Sequence, residues 1–186
     1  MAPLVRVYIA MSLDGYIALP DGSVTWLEAY PMEEFDFMGF AKTIAVTVMG
    51  RRTYDESFTR GGPTPGGGRA VVMTHRPIND PPKGVETYDG DPAELIARLK
   101  REIAESTKKK SSTKKDIWLI GGGESILAFH RAGLIDRWEI FVAPILLGDG
   151  IPLFPKNDAG LLHLRLRSLK HYEKTGFIEA WYEPEP

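Results

Sequence analysis

The sequence predicts an α/β fold: a mostly parallel central sheet with helices on both faces and a C-terminal antiparallel hairpin. Three observations predict it. Short, nearly all-apolar segments such as residues 43–49 and 70–73 read as strands buried on both faces. Helical patterns fall between such segments, and strands alternating with helices give a parallel sheet covered on both sides. The chain then ends in two stretches, 163–172 and 176–183, joined by a turn at Glu173, Lys174, Thr175 and Gly176, which read as a hairpin.

Each element follows from local pattern. Residues 4–10 alternate and predict a first strand. Residues 11–22, with Asp14-Gly15 and Pro20-Asp21-Gly22, read as a turn-rich connection. Residues 33–42 read as one helix with Phe37, Phe40 and Ala41 on a common face, and a second helix opens at Gly50 after the buried strand 43–49. Residues 60–69 form a Gly/Pro-rich loop, and 84–88 a weaker strand after 70–73. Asp91, Pro92 and Glu94 form a helix start, with Asp as N-cap and Pro at the first helical position. Leu95, Ile96, Leu99 and Ile103 supply that helix's buried stripe, and the low-complexity residues 106–115 read as a solvated loop. A strand at 117–120, three glycines, a short helix to Gly133 and a strand at 136–143 complete the pattern.

Composition bounds the function. The 186 residues suit one domain, 1–186, large enough for a real core. The absence of cysteine excludes disulfides, thiolate metal sites and cysteine nucleophiles. No two of the four histidines flank a glutamate at helical zinc-site spacing, so no metal is expected. No apolar run approaches the ~20 residues that span a bilayer, and the N-terminus lacks a signal-peptide pattern, so a cytoplasmic protein without a membrane partner is expected. The formal charge of −2 gives no general attraction to nucleic acid. Lysines crowd residues 98–115 without interleaved aromatics, which fits a solvated helix end rather than a base-stacking surface.

Three strand ends carry groups suited to anions. Gly121, Gly122 and Gly123 link a strand to a helix, where backbone can approach a phosphate and free N–H groups point outward. A ligand-free tight turn explains that feature alone equally well. Gly50, Arg51, Arg52 and Thr53 repeat the strand–glycine–helix arrangement with two guanidinium forks. Thr74, His75 and Arg76 end a third strand with hydroxyl, imidazole and guanidinium groups, suited to a second phosphate. Ligands of open α/β sheets bind outside the carboxyl ends of the strands, so three such ends together suggest a dinucleotide.

In order and spacing, Met49-Gly-Arg-Arg-Thr-Tyr54, Pro65-Gly-Gly-Gly-Arg69, Met73-Thr-His75 and Ile120-Gly-Gly-Gly123 resemble the dihydrofolate reductase superfamily over residues 4–155. Met11-Ser-Leu-Asp-Gly-Tyr-Ile-Ala18 and Ala143-Pro-Ile-Leu-Leu-Gly-Asp-Gly150, followed by Pro152-Leu153-Phe154, are closer to the reductase domain of riboflavin biosynthesis and its small stand-alone relatives. The deaminase half of the bifunctional riboflavin enzyme has no counterpart, since His-x-Glu with Pro-Cys-x-x-Cys is absent.

The resemblance implies a three-layer fold, NADPH as hydride donor, reduction of a C=N bond and a homodimer. It implies that Ala10 and Ile17 flank the nicotinamide, and that Gly50, Arg51, Arg52 and Thr53 hold phosphates. Thr74, His75 and Arg76 would hold the adenosine end, while Ile120, Gly121, Gly122, Gly123, Glu124, Ser125 and Ile126 wrap the pyrophosphate. A catalytic carboxylate on the first helix is also implied. Ungapped counting from Gly50 selects Glu34; spacing to Phe40 selects Asp36, and solvated acids remain the plain alternative. For the substrate, the resemblance implies Phe40 and Arg69, the latter as a grip on a substrate carboxylate; Trp26 is a further pocket candidate or a plain core residue. Dihydrofolate reductase itself and a nucleotide-binding module without turnover are the competing readings.

Overall fold

The computed structural model describes residues 2–58, 62, 68–110, 115–156 and 160–185. Its main element is an eight-stranded sheet. In chain order the elements are β1 (Val5–Ser12), β2 (Tyr16–Ala18), α1 (Phe37–Thr43), β3 (Ile44–Gly50), α2 (Arg51–Phe58), β4 (Arg69–Met73), β5 (Val85–Tyr88), α3 (Pro92–Lys110), β6 (Asp116–Gly121), α4 (Gly123–Arg131), β7 (Arg137–Ala143), β8 (Ile151–Pro152), β9 (Leu164–His171) and β10 (Ile178–Pro184). Short 3-10 turns at Thr25–Ala29 and Met32–Glu34 precede α1.

Strand order across the sheet is β5-β4-β3-β6-β1-β7-β10-β9. The first six run parallel, and β10 pairs antiparallel with both β7 and β9. Consequently β3, β6 and β1 are neighbours and their carboxyl ends meet.

Two layers of helix cover the sheet. Side chains alternate across a strand, so Val5 and Val7 of β1 face α3 and α4 with Leu95, Leu99, Ile126 and Phe129. On the opposite face, Tyr54 of α2 packs on Met49, Ala70 and Val72, while Phe40 of α1 packs on Ile44 and Trp118. Arg6, on that second face, is buried with its guanidinium between Glu139 and Asp116, at 2.6 and 3.1 Å. Phe40 covers the same guanidinium at 4.7 Å, closing water out of the charge cluster.

Several sequence expectations are corrected. Residues 11–22 are not all turn, because β1 runs on to Ser12 and β2 pairs antiparallel with β8. The helix expected over 33–42 is shortened: Asp36 caps α1, its side chain accepting a 2.9 Å bond from the Gly39 N–H. Asp and Asn favour such caps because their side-chain oxygen satisfies an N–H without an intrahelical partner. The lysine segment begins as helix, since α3 reaches Lys110; residues 111–114 lie outside the description. Asp91 does cap α3, accepting from the Ala93 and Glu94 N–H groups at 2.8 and 3.2 Å.

Candidate active site

A cleft of about 1080 Å³ opens at the carboxyl ends of β1, β3 and β6. That is room at the upper end of small-molecule sites. One half is a glycine and N–H cradle; the other is a wall of aromatic rings.

The cradle comes from two strand-to-helix turns lying side by side. Met49 of β3 pairs with Gly121 of β6, so Gly50 stands beside the Gly121–Gly122–Gly123 turn. Gly121 has φ +134°, a conformation that side-chain-bearing residues rarely adopt. The Gly121–Gly122 peptide is cis. A Cβ at Gly123 would meet the Pro152 carbonyl oxygen at 2.4 Å, which fixes glycine there by packing. The first helical bond of α4 is from Ile126 N to Gly122 O, 3.0 Å, leaving the N–H groups of Gly123, Glu124 and Ser125 ahead of it. Such groups, with the positive end of the helix dipole, bind anions.

Arginines frame the cradle. Arg51 is held by Asp55 at 2.8 Å and by the carbonyls of Arg76 and Pro77. Arg52 donates to the Pro20 carbonyl at 3.1 Å, tying α2 to the loop after β2. Glu56 and Glu124 also border this half, so its suitability for an anion comes from backbone donors and placed guanidiniums rather than net charge.

The aromatic wall is continuous. Trp118 contacts Phe37 (5.7 Å between centroids) and Tyr8 (6.3 Å), and Tyr8 contacts Phe141 (4.5 Å). Phe141 contacts Phe35 (5.8 Å), Phe35 contacts Phe177 (5.1 Å), and Phe177 meets Tyr30 edge-on (4.9 Å). All seven rings line the cleft. Phe40 stacks behind Tyr8 at 4.0 Å, and the Trp118 indole N–H donates to the Tyr8 carbonyl at 3.1 Å. Burial, then the nearby Glu179, Glu139 and Asp36 carboxylates, push the Tyr8 phenol well above its usual value, so it keeps its proton. Tyr172, beneath the wall, donates to Glu179 at 2.6 Å and is raised chiefly by burial and by that bond.

The loops that frame the mouth interlock. Asp14 accepts from the Leu147 and Gly148 N–H groups at 3.1 and 2.7 Å, and Leu13 N–H donates to the Ile145 carbonyl. Gly150 passes so close to the Ala18 carbonyl that a Cβ would lie 2.2 Å from it. The motifs at 11–18 and 143–150 therefore build one scaffold, which presents Ile17, Ala18 and Ile151 to the cleft.

Of the sequence-predicted residues, the cleft is lined by Ala10, Ile17, Gly50, Arg51, Arg52 and Thr53, and by the run from Ile120 to Ser125. Ile126 turns into the core instead. Thr74, His75 and Arg76 lie just beyond the lining, bridged to it through Arg51. His75 is exposed and paired with Asp89. Trp26 is buried in a cluster with Phe141 and Phe177 and does not line the cleft, and Phe40 supports the wall from behind. Arg69 begins β4, at the strand's opposite end, bound to Glu102 (2.6 Å) and Glu86 (3.4 Å). Neither predicted acid reaches the cleft lining: Asp36 caps α1, and Glu34 accepts from the Thr175 N–H at 3.1 Å. Of the expected Pro65–Arg69 motif, residues 65–67 lie outside the description. Among the described residues no cluster suited to a metal ion occurs, and no helix is long and apolar enough to cross a membrane.

Sequence reasoning missed the wall. Strand alternation carried the signal: Tyr8 shares a face with Ala10, and Trp118 with Ile120, while Ala10 pairs with Phe141.

Comparison with known proteins agrees with this architecture. The family model described as the RibD C-terminal domain matches residues 3–176. The uncharacterized protein YwjB of Bacillus subtilis is 33% identical over 170 residues, 89% of this chain and 90% of that protein. The riboflavin biosynthesis protein RibD of Mycobacterium tuberculosis is 30% identical over 175 residues, 87% of this chain but 48% of that protein, so the chain spans about half of it. A Shewanella sp. PV-4 protein provisionally assigned to riboflavin biosynthesis superposes with TM-score 0.81 at 27% identity, covering all of both chains. Dihydrofolate reductase of Enterococcus faecalis, solved with NADP(H), shares the fold at TM-score 0.66 and 17% identity, covering 98% of this chain and 97% of that one. The chain therefore belongs to the RibD C-terminal domain family, on a dihydrofolate reductase-like fold.

Proposed function

We propose that this protein is an NADPH-dependent reductase acting on a C=N bond of a heterocyclic substrate. The observation that carries the reading is the cleft itself: a glycine and N–H cradle and an aromatic wall meet on the adjacent strands β3, β6 and β1. The cradle fits a pyrophosphate, because Gly50 and Gly121–Gly122 present backbone where side chains would stand. When bound, NADPH supplies a hydride to the imine carbon, and the nitrogen takes up a proton.

The chain's own residues bind and orient. Arg51 and Arg52 hold the phosphate end, while Thr74, His75 and Arg76 stand where the adenosine end extends past Arg51. Ala10 and Ile17 border the junction of cradle and wall, and the wall excludes water from the substrate ring. The family and its dihydrofolate reductase relative support a nicotinamide cofactor. The test is loss of absorbance at the reduced nicotinamide band, with dihydrofolate and with phosphoribosylaminouracil as trial substrates. NADPH binding without oxidation by any heterocycle would favour a nucleotide-binding module.

A homodimer in the cytoplasm completes the proposal. Leu164, Leu166, Leu169 and Ile178 are exposed on β9 and β10, and β9 is the sheet's edge strand. An apolar edge of this kind invites a partner, and a second copy offers the same edge. Light scattering should give twice the 20.7 kDa chain mass; the mass of one chain at micromolar concentration overturns it.

A further inference from the structure

Resting on the reductase reading, the geometry points to an uncharged, planar, unsaturated ring as the substrate, one that carries no phosphate and sets a hydrogen-bond acceptor against the Tyr8 hydroxyl. Three observations carry this beyond the family resemblance.

The first is the absence of a cation. Among the described residues, the wall half of the cleft has no charged side chain in its lining. Two arginines are engaged elsewhere: Arg6 lies behind Phe40 between Glu139 and Asp116, and Arg69 is held by Glu86 and Glu102 at the far end of β4. A phosphate or carboxylate placed among these rings would lose hydration with no cation among the described lining residues to replace it, which disfavours it.

The second is the sign of the surroundings. Behind the wall, Arg6 with Glu139 and Asp116 forms a cluster of one net negative charge, and Glu179 accepts from Tyr172 with Lys170 over that ring at 4.1 Å. Such a field repels a further anion and leaves a neutral ring unaffected.

The third is a polar group in the wall, on β1. Tyr8 lines the cleft, and its hydroxyl makes no hydrogen bond among the described residues, nor is it sealed from solvent. Its ring is fixed from behind by Phe40 and from the side by Phe141. A fixed, protonated phenol is a donor that selects a carbonyl oxygen or ring nitrogen on the substrate. The rings around it favour flat π-faces through offset and edge contacts.

The experiment is calorimetry on the full chain saturated with NADP⁺, which permits no turnover. NADP⁺ binding is measured first; its failure would sink the reductase reading and not this one, and the probes are then titrated into the free chain. Three probes are compared: dihydropterin (the bare uncharged ring), dihydrofolate (the same ring with two tail carboxylates) and phosphoribosylaminouracil (a phosphate ester). Dihydropterin is expected to bind at least about tenfold more tightly than either charged probe. Tyr8→Phe should weaken dihydropterin about fivefold or more while leaving NADP⁺ affinity unchanged. Equal or tighter binding of the phosphate ester or of dihydrofolate overturns the inference, as does binding of none of the three at about 1 mM. Unchanged dihydropterin affinity in Tyr8→Phe overturns the role given to the hydroxyl.

Discussion

A Cβ on Gly50 would lie 2.5 Å from the Ser125 hydroxyl oxygen, so the end of β3 and the first turn of α4 close on each other with only hydrogen between them. The close approach creates the cradle, and it separates two kinds of glycine. At position 50 the obstacle is a side-chain hydroxyl that can rotate; at position 123 it is the Pro152 carbonyl, which is backbone. Gly50→Ala should therefore change stability by less than about 1 kcal/mol, yet weaken NADPH about tenfold by filling the cradle. Gly123→Ala should destabilise the fold by about 1–3 kcal/mol through overpacking. Denaturant melts with cofactor titrations on both variants check the pair; equal stability losses would contradict it.

Asp36 was selected from spacing as a catalytic acid, and the fold gives it another task. Its carboxylate accepts from the Gly39 N–H, and it does not line the cleft. Asp36→Asn retains the cap and should leave turnover within about twofold, whereas Asp36→Ala should cost about 1 kcal/mol of stability. A pH-dependent collapse of turnover in Asp36→Asn would return the acid role to this residue.

These cases show what the sequence could and could not convey. Buried parallel strands such as β3 and β6 are legible because both faces must be apolar, and the glycine turns because backbone exposure leaves no alternative residue. The acid's task was not legible: a carboxylate at a helix start looks the same in sequence whether it caps or catalyses, and the bond from the Gly39 N–H shows the cap alone. Arg69 was misleading for a similar reason, since Glu86 and Glu102 become its partners only when β5 and α3 pack beside β4. The aromatic wall draws on β1, β6, β7, α1, the connection before α1 and the turn between β9 and β10, so no local window contains it.

The buried charge cluster beneath α1 is a second test of the fold. Arg6 bridges β6 and β7 through Asp116 and Glu139, and its NH1 also donates to the Thr43 hydroxyl at 3.0 Å. Arg6→Met would leave two buried carboxylates without their cation, a loss of about 3–5 kcal/mol. Replacing all three charges by apolar residues should recover most of it. Denaturant midpoints measure both, and a near-neutral single variant would contradict the account.

Alkaline pH should expose the tyrosines beneath the wall. Tyr172 is raised above its ordinary value of 10.0 by burial and by its bond to Glu179, with Tyr8 and Asp36 adding to it. The folded chain thus holds this proton more tightly than the unfolded chain. That stabilisation is fully present below the unfolded value, and stability falls as pH rises above about 10. Melting temperatures between about pH 8 and 11 should fall more steeply in the native chain than in Tyr172→Phe. Parallel curves would show that the phenol is not shifted.

The most direct test of the central claim is NADPH titration followed by energy transfer from tryptophan, since Trp118 lies in the wall beside the cradle. The account predicts a saturable signal at micromolar NADPH, weakened about tenfold by Gly50→Ala. A native chain that shows no saturable response up to about 1 mM NADPH would contradict it.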